Sequence, residues 1–214
     1  SKLVLESLAK FPEDKILGSC VASSIASLSE TVMQSPDKLT WRALHESIIE
    51  NDAFPRLIQC MSAFPEDVLV QKDCAHALHM LCKYRKFAFI LTQHHGIEAA
   101  IGAIAGICME EEPAPEEGKS NSPSHFYKDG VKVEGGAPDL MKQQQLKKKR
   151  KKLKKGVPKA LILEHALGVL VRMAFTGKAA RDVISENSGI AAAIAAMGLA
   201  GGNKEIHHTG AYLL

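Results

Sequence analysis

Two stretches, LAKFPEDKILGSCVASSIASL at residues 8–28 and MSAFPEDVLVQKDCAHALHML at 61–81, align without a gap at an offset of 53 residues. Each opens near Phe-Pro-Glu-Asp and runs on into an apolar stripe. In the first copy the stripe is Val21, Ile25 and Leu28; in the second it is Cys74, Leu78 and Leu81. The spacing i, i+4, i+7 sets these side chains on one face of a helix. Pro-Glu-Asp suits the start of that helix. Proline is tolerated in a first turn, and acidic side chains favour the positive end of the helix dipole.

The same stripe recurs as Ala166, Leu170 and Met173 in LEHALGVLVRMAF (163–175), and begins again at Gly210 and Leu214. A second element precedes each stripe and opens on a small residue followed by an apolar one. It reads NDAFPRLIQCM (51–61), HHGIEAAIGAI (94–104) and NSGIAAAIAAM (187–197). Ala53 to Cys74 is 21 residues, and so is Gly189 to Gly210. Gly96 to Ala166 is 70, so this copy carries about 49 extra residues. From stripe to next element the distances are 22 (Cys74 to Gly96) and 23 (Ala166 to Gly189). The first such distance is 32 (Val21 to Ala53), which marks 29–40 as a longer connection. The plain period is about 43–44 residues, in the range of helical solenoids. The predicted unit is a short helix, a second helix opening on Gly or Ala, a polar loop and a longer third helix. No such unit buries its apolar face alone; stacked neighbours do.

The composition fits. At 46% hydrophobic the chain can bury a core, and with only 5% aromatics that core is built from small and aliphatic side chains. No apolar run is expected to reach the roughly 18 residues of a membrane helix, and no secretory signal opens the chain. The five cysteines, Cys20, Cys60, Cys74, Cys82 and Cys108, are odd in number and form no CxxC. They read as buried thiols in a reducing, intracellular compartment, the cytoplasm and/or the nucleus. The first and last copies are incomplete, so the repeat array reads as truncated at both ends.

DAFPRLIQCMSAFPEDVLVQKDCAHALHMLC (52–82) and VISENSGIAAAIAAMGLAGGNKEIHHTGAYLL (183–214) resemble the armadillo repeat. That repeat has a small residue, an apolar residue, often Pro, and Leu-rich positions. A polar loop and a Val-Gln-x-x-Ala-x-x-x-Leu-x-x-Leu helix follow. The resemblance covers most of 1–108 and 158–214. It implies an all-α fold, a right-handed α-solenoid, and a non-catalytic protein-binding scaffold serving as subunit or adaptor of a larger assembly. It implies no cofactor. In peptide-binding members the third helices line a groove and carry a Trp and, four residues later, an Asn. The Trp position carries over to Ser23, His76, Gly168 and Tyr212, and the Asn position to Ser27, Met80 and Arg172. No copy has the pair, and Trp41 falls in a first helix. The ladder of amides that holds an extended peptide is therefore absent, and the implied groove is one of Ser, His, Met, Gly, Arg and Tyr. Met and Tyr favour an apolar helix face as partner.

Residues 109–157 differ from their surroundings. They are rich in Pro, Gly, Ser and charge, a composition expected to be disordered when free. Glu110, Glu111, Glu112, Glu116 and Glu117 crowd one end. The other holds Lys142, Lys147, Lys148, Lys149, Arg150, Lys151, Lys152, Lys154 and Lys155, nine of the chain's 27 basic residues, with no acidic residue among 142–155. Eighteen basic residues remain against 24 acidic, which reads as an acidic body bearing one basic strip. Three readings of the strip stand. It is a nuclear import signal for an import receptor, a contact to an acidic partner (RNA or protein), or a solvated loop paired with its own acidic half. The strip has no interleaved aromatics, so base stacking is not expected. Its phosphate-binding form gives the alternative function, an RNA- or ribonucleoprotein-associated subunit.

Chemistry at a metal is not expected. On a helix Cys74, His76, His79 and Cys82 point to about 0°, 200°, 140° and 80°, too wide a spread for one ion. His94–His95 and His207–His208 are adjacent pairs whose side chains diverge. No phosphate loop, nucleotide fingerprint or nucleophile elbow occurs, and the chain is not read as an enzyme.

Overall fold

The computed structural model describes residues 2–35, 37–109, 159–200 and 202–214. The chain divides into one unit made of Ser1–Glu110 and Pro158–Leu214 and a second, Glu111–Val157. What the sequence leads one to expect of 109–157, its disorder and its basic strip, lies past Met109 outside the described residues.

Among the described residues every regular element is a helix: α1 (Lys2–Lys10), α2 (Lys15–Gln34), α3 (Lys38–Glu50), α4 (Ala53–Ala63), α5 (Val68–Cys82), α6 (Arg85–Gln93), α7 (Gly96–Met109), α8 (Lys159–Ala174), α9 (Lys178–Glu186), α10 (Gly189–Leu199) and α11 (Lys204–Ala211). They fall into a leading pair, α1–α2, and three triplets, α3–α5, α6–α8 and α9–α11. As the spacing predicts, the second helix of each triplet opens on Ala53, Gly96 or Gly189.

The corner before each second helix explains that small residue. Asp52, His95 and Ser188 occupy one repeat position, and all three are left-handed, with φ of 51°, 60° and 62°. This single αL residue turns the chain sharply. The next residue is then pressed onto the last turn of the first helix. A Cβ on Gly96 would fall 2.2 Å from Leu91 Cγ and 2.9 Å from the Leu91 carbonyl oxygen. On Gly189 it would fall 2.5 Å from Ile184 Cγ2 and 2.7 Å from the Ile184 carbonyl oxygen. Ala53, fully buried, is the largest side chain at this position.

The third helices begin differently from the sequence expectation. Pro12 and Pro65 are outside the helix rather than in its first turn, and the aspartate of each Phe-Pro-Glu-Asp is the N-cap. Asp14 accepts hydrogen bonds from the Ile16 and Leu17 amides, and Asp67 from those of Leu69 and Val70. Asn203 caps α11 in the same way. Such a cap stabilises a helix by about 0.5–2 kcal/mol. The two Phe-Pro-Glu-Asp turns are joined by the Lys15–Asp67 ion pair at 3.1 Å. Behind the second turn, Gln71 Nε2 donates to the carbonyls of Met61 (2.7 Å) and Phe64 (3.0 Å), tying α5 to the end of α4.

Along the chain each third helix packs on the next: α2 on α5, α5 on α8, α8 on α11, with α7 against α8 and α10. The expected stripes form this core. Val21, Ile25, Cys74, Leu78, Leu81, Ala166, Leu170 and Met173 are all buried, and each fully buried large aliphatic stabilises by about 1.5–3 kcal/mol. Two stripe positions depart. Leu28 is 42% exposed and Leu214, beyond α11, is 68% exposed. α2 is 20 residues long and packs on one third helix, α5, whereas α5 lies between α2 and α8, so Leu28 stays uncovered where its equivalent Leu81 is buried. That length also corrects the expectation on membrane helices. By length and composition alone α2 could cross a membrane, yet its apolar side is buried in the core it shares with α5.

The charge reading is corrected too. Residues 1–109 and 158–214 carry fifteen basic and sixteen acidic side chains, so the helical unit is near balance. The acidic excess belongs to 110–157, the same segment that holds the basic strip.

Candidate protein-binding face

α5 is enclosed on all sides but one. Leu69, Lys72, His76, His79 and Lys83 form its open line, in steps of three and four residues that keep one helical face. The matching line on α8 is Leu161, His165, Gly168 and Arg172, continued by Phe175 just past its end. On α2 it is Cys20, Ser23, Ser24, Ser27 and Thr31, all exposed. These lines lie on consecutive, mutually packed helices.

The expected groove residues separate on this surface. Ser23 and Ser27, with Ser24, Leu28 and Thr31, line an open depression of about 450 Å³. His76 is half-buried and Arg172 exposed. Tyr212, just past α11, is exposed and meets His208 edge-on at 5.0 Å. Met80 is not on the face. It is 5% exposed and part of the core, because the open line of α5 steps from His76 to His79, three residues rather than four. Gly168 is on the line but covered. A Cβ there would lie 2.7–2.9 Å from three atoms of the His79 ring. The absent side chain is what lets that ring sit against α8. The import-signal or anion-binding residues Lys147 to Lys152, Lys154 and Lys155 are outside the described residues.

At the α5–α8 seam three histidines meet. His79 Nδ1 and His165 Nδ1 are 3.2 Å apart. The His76 ring stacks on that of His165, with centroids 4.4 Å apart and planes 14° apart. Burial keeps them neutral. It pushes His79 down to about 3, with the positive fields of Lys83 and Arg172 adding to it, and His165 down to about 4, with Lys83 and Lys72 adding to it. His76 is lowered mainly by burial, against the pull of Glu30 and Asp73. Beside the seam, buried Asp73 accepts a hydrogen bond from Ser19 Oγ and pairs with Lys72 Nζ at 2.9 Å, fastening α2 to α5.

His165 did not stand out in the sequence. It sits in no motif, and its partners are 86 and 89 residues away. A helix-spacing rule gives rotation about one axis, not the stagger between neighbouring helices. Chemically, the seam offers ring N–H edges and two cations. No group of three or more His, Cys, Asp or Glu side chains among the described residues is arranged to hold a metal ion. No family model, curated protein or solved structure matches the chain.

Proposed function

We propose that the chain is a non-catalytic, armadillo-like protein-binding scaffold, a right-handed solenoid that serves as subunit or adaptor of a larger intracellular assembly. Its binding face is the open lines of α2, α5 and α8. One observation carries this reading: three consecutive third helices, packed side by side, leave open a polar line of Ser23, Ser27, His76, Lys83 and Arg172 while their other sides form the core. A face built by repetition suits an elongated partner better than a small molecule.

The test is photo-crosslinking. Peptides selected from a displayed library against the full chain are added to variants with a benzophenone amino acid in place of Ser27, His76 or Arg172, or of Phe89 or Ile194 on α6 and α10. Crosslinks at the first three and not at the last two are expected. Crosslinks confined to Phe89 or Ile194 refute the assigned face.

A second reading keeps the scaffold but adds RNA. It rests on the density of charge at 142–155, nine basic residues and no acidic one. Phosphate binding of that kind weakens steeply with salt, with a slope set by the number of phosphates contacted.

A further inference from the structure

Lys83 caps the end of α5, and Arg172 lies in the last turn of α8. Both are exposed, and neither is ion-paired among the described residues. They bracket the histidine seam: the charge of Lys83 is felt at His76, His79 and His165, and that of Arg172 at His79. The acids that face the seam are few. Asp73 is occupied by Ser19 and Lys72, which leaves Glu30 of α2 near His76. In a helical unit whose charges nearly balance, this spot has a local surplus of cations. His76 adds a ring with no hydrogen bond among the described residues and an edge that can donate to oxygen. Phe175, 65% exposed and one turn beyond Arg172, adds an apolar surface.

The chemistry selects among anions. The His76–His165 stack takes up one face of each ring. Two isolated cations suit a pair of carboxylates, one of them held bidentate by the Arg172 guanidinium. They are too few to follow a phosphate backbone. We infer that the segment bound on this face is an acidic protein segment, whose carboxylates dock on Lys83 and Arg172 across the α5–α8 seam and whose neighbouring apolar side chain lies on Phe175. The inference rests on the third-helix face being the binding face, and narrows it to a class of partner by charge complementarity.

The experiment uses the full chain with the basic residues of 147–155 changed to Gln in every arm, so that the strip contributes nothing. The probe is a fluorescein-labelled nine-residue peptide of Glu-Glu-Leu repeats, read by anisotropy, with the Gln-Gln-Leu peptide as control. Binding of the Glu peptide but not the Gln peptide is expected. Lys83→Gln with Arg172→Gln should weaken it about tenfold, as two exposed charge contacts allow. Lys178→Gln with Lys204→Gln should leave it unchanged. No binding of the Glu peptide, or affinity indifferent to Lys83 and Arg172, overturns the inference. So does an oligouridine that binds in its place and is lost with those two residues. Library peptides that still crosslink at Ser27 in such a case would keep the face and sink only the acidic partner. Crosslinks confined to Phe89 or Ile194 would sink both.

Discussion

His79 of α5 and His165 of α8 meet nitrogen to nitrogen, with 3.2 Å between their Nδ1 atoms. One proton fits between them. In the neutral pair one ring donates from Nδ1–H, and the other accepts and carries its own proton on Nε2. Adding protons until both rings are cations would set two N–H groups against each other beside Lys83 and Arg172. The seam is built for the neutral pair.

Stability should therefore fall in acid. The folded-state values of about 3 for His79 and about 4 for His165 lie below the ordinary 6.5 of the unfolded chain. As pH falls the unfolded state takes up protons first. The contribution is complete above about pH 6.5 and is lost progressively as pH drops through the folded values. His79 alone accounts for on the order of 3 kcal/mol by about pH 4. Urea unfolding at a series of pH values between about 7 and 4 checks this. His79→Gln should flatten the dependence, and an unchanged slope would show that other groups set it.

Gly168→Ala tests the close approach directly. Alanine raises helix propensity by roughly 1 kcal/mol, but its Cβ must enter the His79 ring, which is packed against α8 and bonded to His165. Overpacking of this kind costs about 1–3 kcal/mol, so the variant should be less stable than the parent. His79→Ala opens the space, and the pair of substitutions should cost less than the sum of the two alone. Additive costs would mean that the ring moves aside freely.

Much of the fold is legible in the sequence. The small residues at 53, 96 and 189 could be located because a tight αL corner leaves no room for a larger side chain, and that constraint repeats with the unit. The offset of 53 between the two Phe-Pro-Glu-Asp copies located α2 and α5 for a similar reason: each needs the same cap and the same buried stripe. The candidate face was less legible. Carrying a four-residue step onto α5 put Met80 on the surface, whereas the open line follows three- and four-residue steps through His76 and His79. His165 was invisible because it acts across a seam. Leu28 failed because α2 packs on one third helix, α5, whereas α5 lies between α2 and α8 and has its equivalent leucine covered.

Leu78 belongs to the shared core of α5 with its neighbours and is 1% exposed. Leu78→Ala should destabilise by about 2–5 kcal/mol, the transfer term plus the cavity left behind. Chemical denaturation measures it. A cost under about 0.5 kcal/mol, far below the usual range for such truncations, would be incompatible with the register of the repeats.

Deleting 112–155 and joining the ends with a short Gly-Ser linker should leave helical content and thermal stability of the remaining chain nearly intact. Loop-closure entropy changes by only about 0.6 kcal/mol per doubling of length. Circular dichroism through a thermal scan reads the result. Loss of cooperative unfolding would mean that the segment contributes to the folded state of the helical unit.

Changing Lys148, Lys149, Arg150, Lys151 and Lys152 to Gln removes five charges and touches no stripe residue. Seven lysines and one arginine packed into nine positions, with Leu153 the exception, repel one another and favour an anionic partner. If the strip is an import signal, a reporter fused to it leaves the nucleus on substitution. If it contacts phosphate, affinity for RNA falls and the salt slope flattens by about 0.7 per lost contact on a single strand. If it meets an acidic protein, co-purifying partners are lost while RNA binding stays as it was. The outcome also bears on the helical face, because a strip that changes none of the three is a solvated loop. The function would then have to be sought on the helical faces, along the open lines of α2, α5 and α8.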